Sequence, residues 1–364
     1  MNGDLFFEGL SSFREKLQDE ESKRLFDIRL DYLVYRDIDT LERNIAKEAM
    51  QYKNIAVCPA LNRYFDIYPE NKSKKVILFG AGVAGRCTLR SLKVLGIEVL
   101  CVIDNNYMSI GSIEGIKVNE PSILKDKELK ENAYAIVSIM DYSKRLEMYY
   151  QLLSYGIKSE NVLLLKDGTL WCDYGLQYFD LKELPVNPEG EIFVDAGCYN
   201  GMSSYNAQIW SKNRLKKVYA FEPDKNNYPT CESRIKSLGC EYEIINAATW
   251  SEKTELIFDE NSFGQASKVS NNGNVHVNAD SIDNVLRESP ATYIKLDVEG
   301  SELETLKGAI NTIQKYRPKL AISLYHKPED IVTLPLYIES LGMDYKYYIR
   351  HYQTRWCETI LYAF

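Results

Sequence analysis

Residues 194–204 read VDAGCYNGMSS. They follow the apolar start EIF at residues 191–193 and carry no proline, so the pattern is a strand, a glycine turn and the first turn of a helix. Gly197 and Gly201 are spaced Gly-x-x-x-Gly, not Gly-x-Gly-x-x-Gly. That spacing suits a compact zwitterion better than a pyrophosphate. Backbone N–H groups at the helix start can hold a carboxylate, with Ser203 as a further donor, and Asp195 can accept from an ammonium. The next strand ends in AFEPD, residues 220–224, which puts Glu222, with Pro223 beside it, where a carboxylate takes both hydroxyls of a ribose. A third strand ends in INAAT, residues 245–249, where Asn246 and Ala247 border an adenine. Many strand ends carry glycine and acid for plain turns. Three successive ends in this order point to S-adenosylmethionine. Tyr199 and Asn200, inside the loop, complete the candidate cofactor contacts.

Working outward, seven strand-like runs follow one another: EIFVDAG, KKVYAFEP, YEIINAA, YIKLDVEG, KLAISLY, DYKYYIR and ETILYAF. The last two are joined by HYQTRWC, short enough for an antiparallel hairpin at the sheet edge. The expected fold class is α/β, with a seven-stranded sheet over residues 190–364 carrying helices on both faces. A turn-rich stretch, residues 169–189, reads as a linker. Before it, KKVILFG, IEVLCVID, AYAIVSI and NVLLL alternate with helical stretches, which predicts a small Rossmann-like parallel α/β domain over residues 71–168. Residues 1–70 read as a helical segment: Leu10, Phe13, Leu17, Leu25, Ile28, Leu41 and Ile45 recur at helical spacing.

The first domain holds a second glycine loop, VILFGAGVAG at residues 76–85. Gly80 permits a tight turn, Gly82 a close approach of backbone to phosphate, and Gly85 close packing of helix on strand, while Asp104 stands where an acid accepts ribose hydroxyls. This is a candidate second nucleotide site. About 90 residues follow before the second series, nearer one mononucleotide half than two, and no Tyr-x-x-x-Lys pair accompanies it. An empty packing turn is the competing reading.

At the other end of the candidate site, YIKLDVEGSELETLKGA at residues 293–309 brings Asp297 and Glu299 to the carboxyl edge of the sheet, and SLYHKPED brings His326 there. Methyl transfer to an alcohol needs in-line positioning and a destination for the hydroxyl proton; Asp297 or His326 can serve as that base. The same residues have structural readings. Asp297 can cap the following helix or pair with Lys295, Glu299 and Glu302 can favour that helix's N-terminus, and a lone histidine is commonly structural. Asp297 and Glu299 are also compatible with Mg²⁺, but two carboxylates are too few to assign a metal.

Composition narrows the partners. The formal charge of −8 comes without a basic cluster, so a nucleic-acid duplex is not expected. No run of 18 apolar residues predicts a membrane span. The eight cysteines form no Cys-x-x-Cys pair and read as reduced thiols, and the start MNGDLFFEGL lacks the marks of a signal peptide, so the cytoplasm is the expected compartment.

The segments FVDAGCYNG, YAFEPD, INAAT, ADSIDNVL, YIKLDVEGSELETLKGA and ETILYAF resemble the FkbM-type methyltransferase family over most of residues 190–364. The resemblance implies a class I S-adenosylmethionine fold, O-methylation, commonly of a sugar or polyketide hydroxyl, and site roles for Asp195, Gly197, Gly201, Glu222 and Asp297. Tyr199 and Asn200 depart from it, since small or variable residues are more usual there. FGAGVAG through VIDNN is similar to small nucleotide-binding-like domains attached to sugar-modifying enzymes. The expected activity is therefore S-adenosylmethionine-dependent O-methyl transfer to a saccharide or related acceptor, which a nucleotide-linked acceptor and a homo-oligomer would also fit. The alternatives are a nucleotide-sugar oxidoreductase or epimerase using the first loop, and a docking or dimerisation role for the first domain.

Overall fold

The computed structural model describes residues 3–52, 56–258 and 275–364. The chain forms two compact units: residues 37–175 with 352–356, and residues up to Arg36 with 176–351 and 357–364.

In the first of these, β1 (Lys75–Phe79), β2 (Val99–Ile103), β3 (Ser112–Ile113), β4 (Ile116–Asn119), β5 (Ala133–Val137) and β6 (Val162–Leu164) form one sheet in the order β3-β4-β2-β1-β5-β6. All pairs are parallel except the β3–β4 hairpin. Alternation along β1 buries both faces. Val76 and Leu78 enter one apolar cluster, Ile77 and Phe79 the other. The hairpin escaped the sequence reading for a local reason. Its two-residue turn is Glu114-Gly115, both left-handed at φ 48° and 81°, and glutamate is not a residue that announces such a turn.

The second unit contains β7 (Glu191–Ala196), β8 (Leu215–Phe221), β9 (Glu241–Ile245), β10 (Ala248–Thr249), β11 (Thr254–Phe258), β12 (Val275–Asp280), β13 (Tyr293–Leu296), β14 (Lys319–Ser323), β15 (Tyr347–His351) and β16 (Thr359–Ala363). Seven of them make a sheet in the order β15-β16-β14-β13-β7-β8-β9, parallel except at β16, which runs antiparallel to both neighbours. This is the seven-stranded α/β sheet expected from the seven runs, closed by the expected hairpin. The strand order reverses between β7 and β13, so the ligand crevice of such a sheet opens beyond the carboxyl ends of those two strands. A small sheet, β10-β12-β11, was not foreseen; its strands are short and connect only to one another.

Period-two alternation gives the large sheet two different faces. Val194, Ala196, Ile294, Leu296, Leu320 and Ile322 point into an apolar cluster that Phe13, Leu17, Leu25 and Phe26 of the N-terminal helices complete. The other face is aromatic and charged. It carries Phe193 and Tyr293 in ring contact, the ion pair of Lys319 Nζ with Glu191 Oε1 at 2.8 Å, and the pair of Lys295 Nζ with Asp195 Oδ1 at 3.2 Å.

Among the described residues, the helical N-terminus holds four α-helices, Gly3–Lys16, Glu20–Tyr35, Ile38–Ala49 and Pro59–Ile67, and Asp19 and Asp37 cap the second and third by accepting from Ser22 N and Asp39 N. The first two belong with the seven-stranded sheet and the third and fourth with the other unit. Residues 176–189, within the stretch read as a linker, are a strap that buries Tyr178, Phe179, Leu181 and Leu184. Phe179 lies against Phe193, Trp210 and Tyr293, with ring centroids 5.9, 5.6 and 5.6 Å away.

Candidate active site

The loop after β7 is built on steric necessity. Gly197 adopts φ 78°, and a Cβ there would stand 1.9 Å from the carbonyl oxygen of Asp297, at the end of the neighbouring β13. Gly201, at φ 74°, precedes the helix Met202–Trp210, and a Cβ would press on Cys231 O at 3.2 Å. Both glycines are required by the fold itself. Between them Tyr199 is also left-handed, at φ 49°, a conformation that costs a non-glycine residue on the order of 1 kcal/mol. Asn200 Oδ1 accepts from Met202 N at 3.1 Å, and its carbonyl accepts from the Arg234 guanidinium.

Asp195 and Ser203 bond to each other beside this loop. Asp195 is fully buried; its Oδ2 accepts from Ser203 Oγ and Ser204 Oγ, each at 2.6 Å, and its Oδ1 faces Lys295. Lys295 Nζ also donates to Gly197 O at 2.6 Å. Burial would lower the Lys295 pKa, but Asp195 and Asp297 hold it above its usual value. Together these groups brace the turn from beneath. Lys295 and Ser204 were not read as site residues, although Lys295 is the register partner of Asp195 across β13 and β7.

Glu222 follows β8 and is buried, accepting at Oε1 from Asp224 N at 2.8 Å and Asn227 Nδ2 at 3.2 Å. Burial raises its pKa, against the pull of those donors and of Tyr199 N–H, which ties this acid to the glycine loop. Asn246 Nδ2 donates to the carbonyls of Glu222 and Pro223 at 2.9 and 3.2 Å, so its amide shapes the loop, and Ala247 is buried behind it. The structure thus brings Gly197, Tyr199, Glu222, Pro223 and Asn246 together at one sheet edge.

Asp297, Glu299 and His326 also meet. Asp297 Oδ1 accepts from Ser323 Oγ at 2.8 Å and Tyr325 O–H at 3.0 Å, and Oδ2 accepts from Tyr178 O–H at 3.0 Å. The side chain remains 25% exposed. Burial raises its pKa, but Lys295, His326 and the hydroxyl donors outweigh burial and hold it below the usual carboxylate range. The three hydroxyls were not foreseen. Period-two alternation was the available signal, since Ser323 and Tyr325 are two residues apart beside Asp297.

His326 is 4% exposed, with Nδ1 2.7 Å from Glu302 Oε1 and Nε2 3.4 and 3.6 Å from Glu299 and Asp297. Burial alone would lower its pKa; the bond to Glu302 and the charges of Asp297 and Glu299 raise it to about 9. At neutral pH it therefore carries its proton. Glu299, at φ 54°, turns the chain at the mouth. Among the described residues no group of three or more His, Cys, Asp or Glu side chains is arranged to hold a metal ion, and no helix is long and apolar enough to cross a membrane. All eight cysteines are free thiols, with Cys198 Sγ 2.9 Å from Cys231 Sγ.

In the other unit, Gly80 and Gly85 are steric requirements: a Cβ would meet Ser138 O at 2.2 Å and Gly80 O at 1.9 Å. Gly82 has nothing within 4 Å of where its Cβ would be. Asp104 accepts from Ala81 N of the loop at 2.8 Å and from Asn106 N at 2.7 Å.

Two family models match parts of the chain. Among curated proteins none matches the chain. Among solved structures, the FkbM methyltransferase of Methylobacillus flagellatus KT is similar over 89% of this chain and 99% of its own, at 18% identity and TM-score 0.47. Precorrin-6y C5,15-methyltransferase of Geobacter metallireducens is similar over 48% of this chain and 80% of its own, at 10% identity and TM-score 0.32. Aeropyrum pernix fibrillarin, solved with natively bound S-adenosyl-L-methionine, is similar over 55% and 91%, at 10% identity and TM-score 0.31. Residues 72–163 match the family described as C2185-like, N-terminal. Residues 195–347, which hold Asp195, Glu222, Asp297 and His326, match the methyltransferase FkbM domain.

Proposed function

We propose that the chain is an S-adenosylmethionine-dependent O-methyltransferase whose acceptor is a hydroxyl of a saccharide or related small molecule. The observation that carries the reading is Asp297, a carboxylate held by three hydroxyls, partly exposed, and in backbone contact with the Gly197 loop.

The donor set fits the cofactor. Glu222 is a buried carboxylate with three donors on it, against roughly four that a carboxylate can accept, so it retains capacity for a ribose hydroxyl. Beyond Met202, the first-turn backbone N–H groups of the helix Met202–Trp210 are the donors offered to a carboxylate. Asn246 keeps the Glu222 and Pro223 carbonyls in place, and Asp195, Lys295, Ser203 and Ser204 hold the turn. When bound, S-adenosylmethionine supplies an electrophilic methyl group.

Asp297 then orients the acceptor. It accepts a hydrogen bond from the acceptor hydroxyl and fixes the direction of that oxygen, a contribution of positioning that can be worth roughly 7–11 kcal/mol. Its low basicity is no obstacle. An alcohol oxygen becomes strongly acidic as its new bond to carbon forms, so a weak base takes the proton late. Glu299, beside it, is placed to accept from a second hydroxyl of a polyol. His326 keeps its proton and offsets the charge of Asp297, Glu299 and Glu302.

Calorimetry of the full chain with S-adenosylhomocysteine tests the cofactor. Glu222→Ala is expected to weaken binding by roughly 10- to 100-fold, the loss of charge-assisted hydrogen bonds. Equal binding by both proteins overturns the reading. Radiolabelled methyl transfer to a panel of saccharides tests the acceptor; transfer to amines alone would end the O-methyl assignment.

A further inference from the structure

We propose that Tyr178 is a positioning residue for Asp297: its hydroxyl, delivered by the strap, fixes the carboxylate's orientation. The inference rests on reading Asp297 as the group that receives the acceptor's proton.

The two oxygens of Asp297 are served from different elements. Oδ1 takes Ser323 and Tyr325, both from the end of β14, and Oδ2 takes Tyr178 from the strap. With the Oδ1 donors alone, the carboxyl plane is pinned at one corner. Tyr178 supplies the second corner and so selects the plane that the acceptor meets.

The strap pays for this with an unusual backbone. Tyr178 is left-handed at φ 71°, a region that residues other than glycine seldom adopt. Its carbonyl accepts from Tyr293 O–H, its ring lies 5.5 Å from Lys295 Nζ, and the adjacent Phe179 is wedged among Phe193, Trp210 and Tyr293. A tyrosine needed only for packing would not require its hydroxyl on a carboxylate at the mouth.

The charged and titratable groups around Asp297 set the sign of the expected effect. Lys295 from its own strand and His326 from beyond β14 favour the carboxylate, as do the hydroxyls of Tyr178, Ser323 and Tyr325. Asp195 on β7, Glu299 and Glu302 after β13, and Glu358 before β16 favour the proton. Removing the Tyr178 hydroxyl takes a donor from the ionised form only, so the Asp297 pKa rises.

The test reads Asp297 directly. The full chain, carrying ¹³C at aspartate Cγ, is titrated by carboxyl NMR, with the Asp297 resonance identified by its loss in Asp297→Asn. In Tyr178→Phe its midpoint is expected to move up by about one pH unit. Tyr325→Phe, which strips the same kind of donor from the other oxygen, is expected to move it in the same direction. Binding of S-adenosylhomocysteine is expected to survive in both variants. An unchanged midpoint in Tyr178→Phe overturns the proposal, and so does loss of that binding, which would make the hydroxyl a support of the fold. Failure of the base reading is separate: it shows as unchanged methyl transfer in Asp297→Asn, whatever the titration gives.

Discussion

At the end of β1, a Cβ on Gly80 would stand 2.2 Å from the carbonyl oxygen of Ser138, the residue after β5; at the end of β7, one on Gly197 would stand 1.9 Å from that of Asp297, the residue after β13. Each loop thus lets two parallel strands approach across the point where strand order reverses. Each also has an acid on the next strand tied to its backbone, Asp104 to Ala81 N–H and Glu222 to Tyr199 N–H. The difference lies in the residue across the gap. Ser138 is buried, with its hydroxyl 2.7 Å from that of Thr88 and donating to Gly168 O at 3.0 Å, whereas Asp297 is gathered by three hydroxyls and left partly open. A glycine loop of this kind reports how closely strands pack. The chemistry is reported by what stands opposite.

That contrast can be broken at its strongest point first. Asp297→Asn keeps the shape of the side chain and is expected to lower methyl transfer by roughly 10²- to 10⁴-fold while S-adenosylhomocysteine still binds, as rates and calorimetry together would establish. Full activity in this variant would leave the two loops chemically equivalent.

Next come the glycines that the two loops share as a steric device. Gly197→Ala and Gly85→Ala each drive a Cβ to 1.9 Å from a carbonyl oxygen, and each should cost about 3 kcal/mol or more in urea unfolding. A wild-type midpoint in either would show that the loop relaxes freely.

The pH dependence of stability distinguishes the charged mouth from the sealed one. His326 titrates near 9 in the folded chain, above its ordinary value of 6.5. A raised cation contributes stability that is complete below about 6.5 and is lost as pH rises through about 9, a loss of about 3 kcal/mol. Melting temperature measured across that window should fall more in the wild type than in His326→Gln; parallel curves would contradict the geometry.

The smallest effect is expected at Gly82, the glycine with open space around it. Gly82→Ala should change stability by no more than about 0.5 kcal/mol in thermal melts. A large loss would mean that the first loop is as constrained there as at its other two glycines.

Much of this was legible in the sequence, because the strands of the large sheet are aliphatic or aromatic runs that end in small or acidic residues. EIFVDAG, KKVYAFEP and YIKLDVEG delivered Gly197, Glu222 and Asp297 to one edge without help from tertiary information. What stayed hidden depends on partners far away in the chain. The pairing of Asp195 with Lys295 is one such partnership, and Tyr178 sits in a stretch whose prolines and glycine suggest a linker. Burial of Phe179 by three distant rings is what turns that stretch into a strap. The charge of His326 was likewise unreadable, since it follows from three carboxylates converging on one imidazole.

The placement of the helix Glu20–Tyr35 has a consequence for biosynthesis. Ser22 Oγ donates to Ile349 O on β15, 327 positions later, and β15 joins the sheet only through β16. At usual translation rates of about 5–20 residues per second, the ribosome needs roughly 16–65 s to make the strand that covers what it synthesised near the beginning. Throughout that interval Leu25 and Phe26, completely enclosed in the finished protein, lack the sheet that shelters them. This helix waits more than 300 residues of synthesis for its seat, and a nascent-chain chaperone would meet it there.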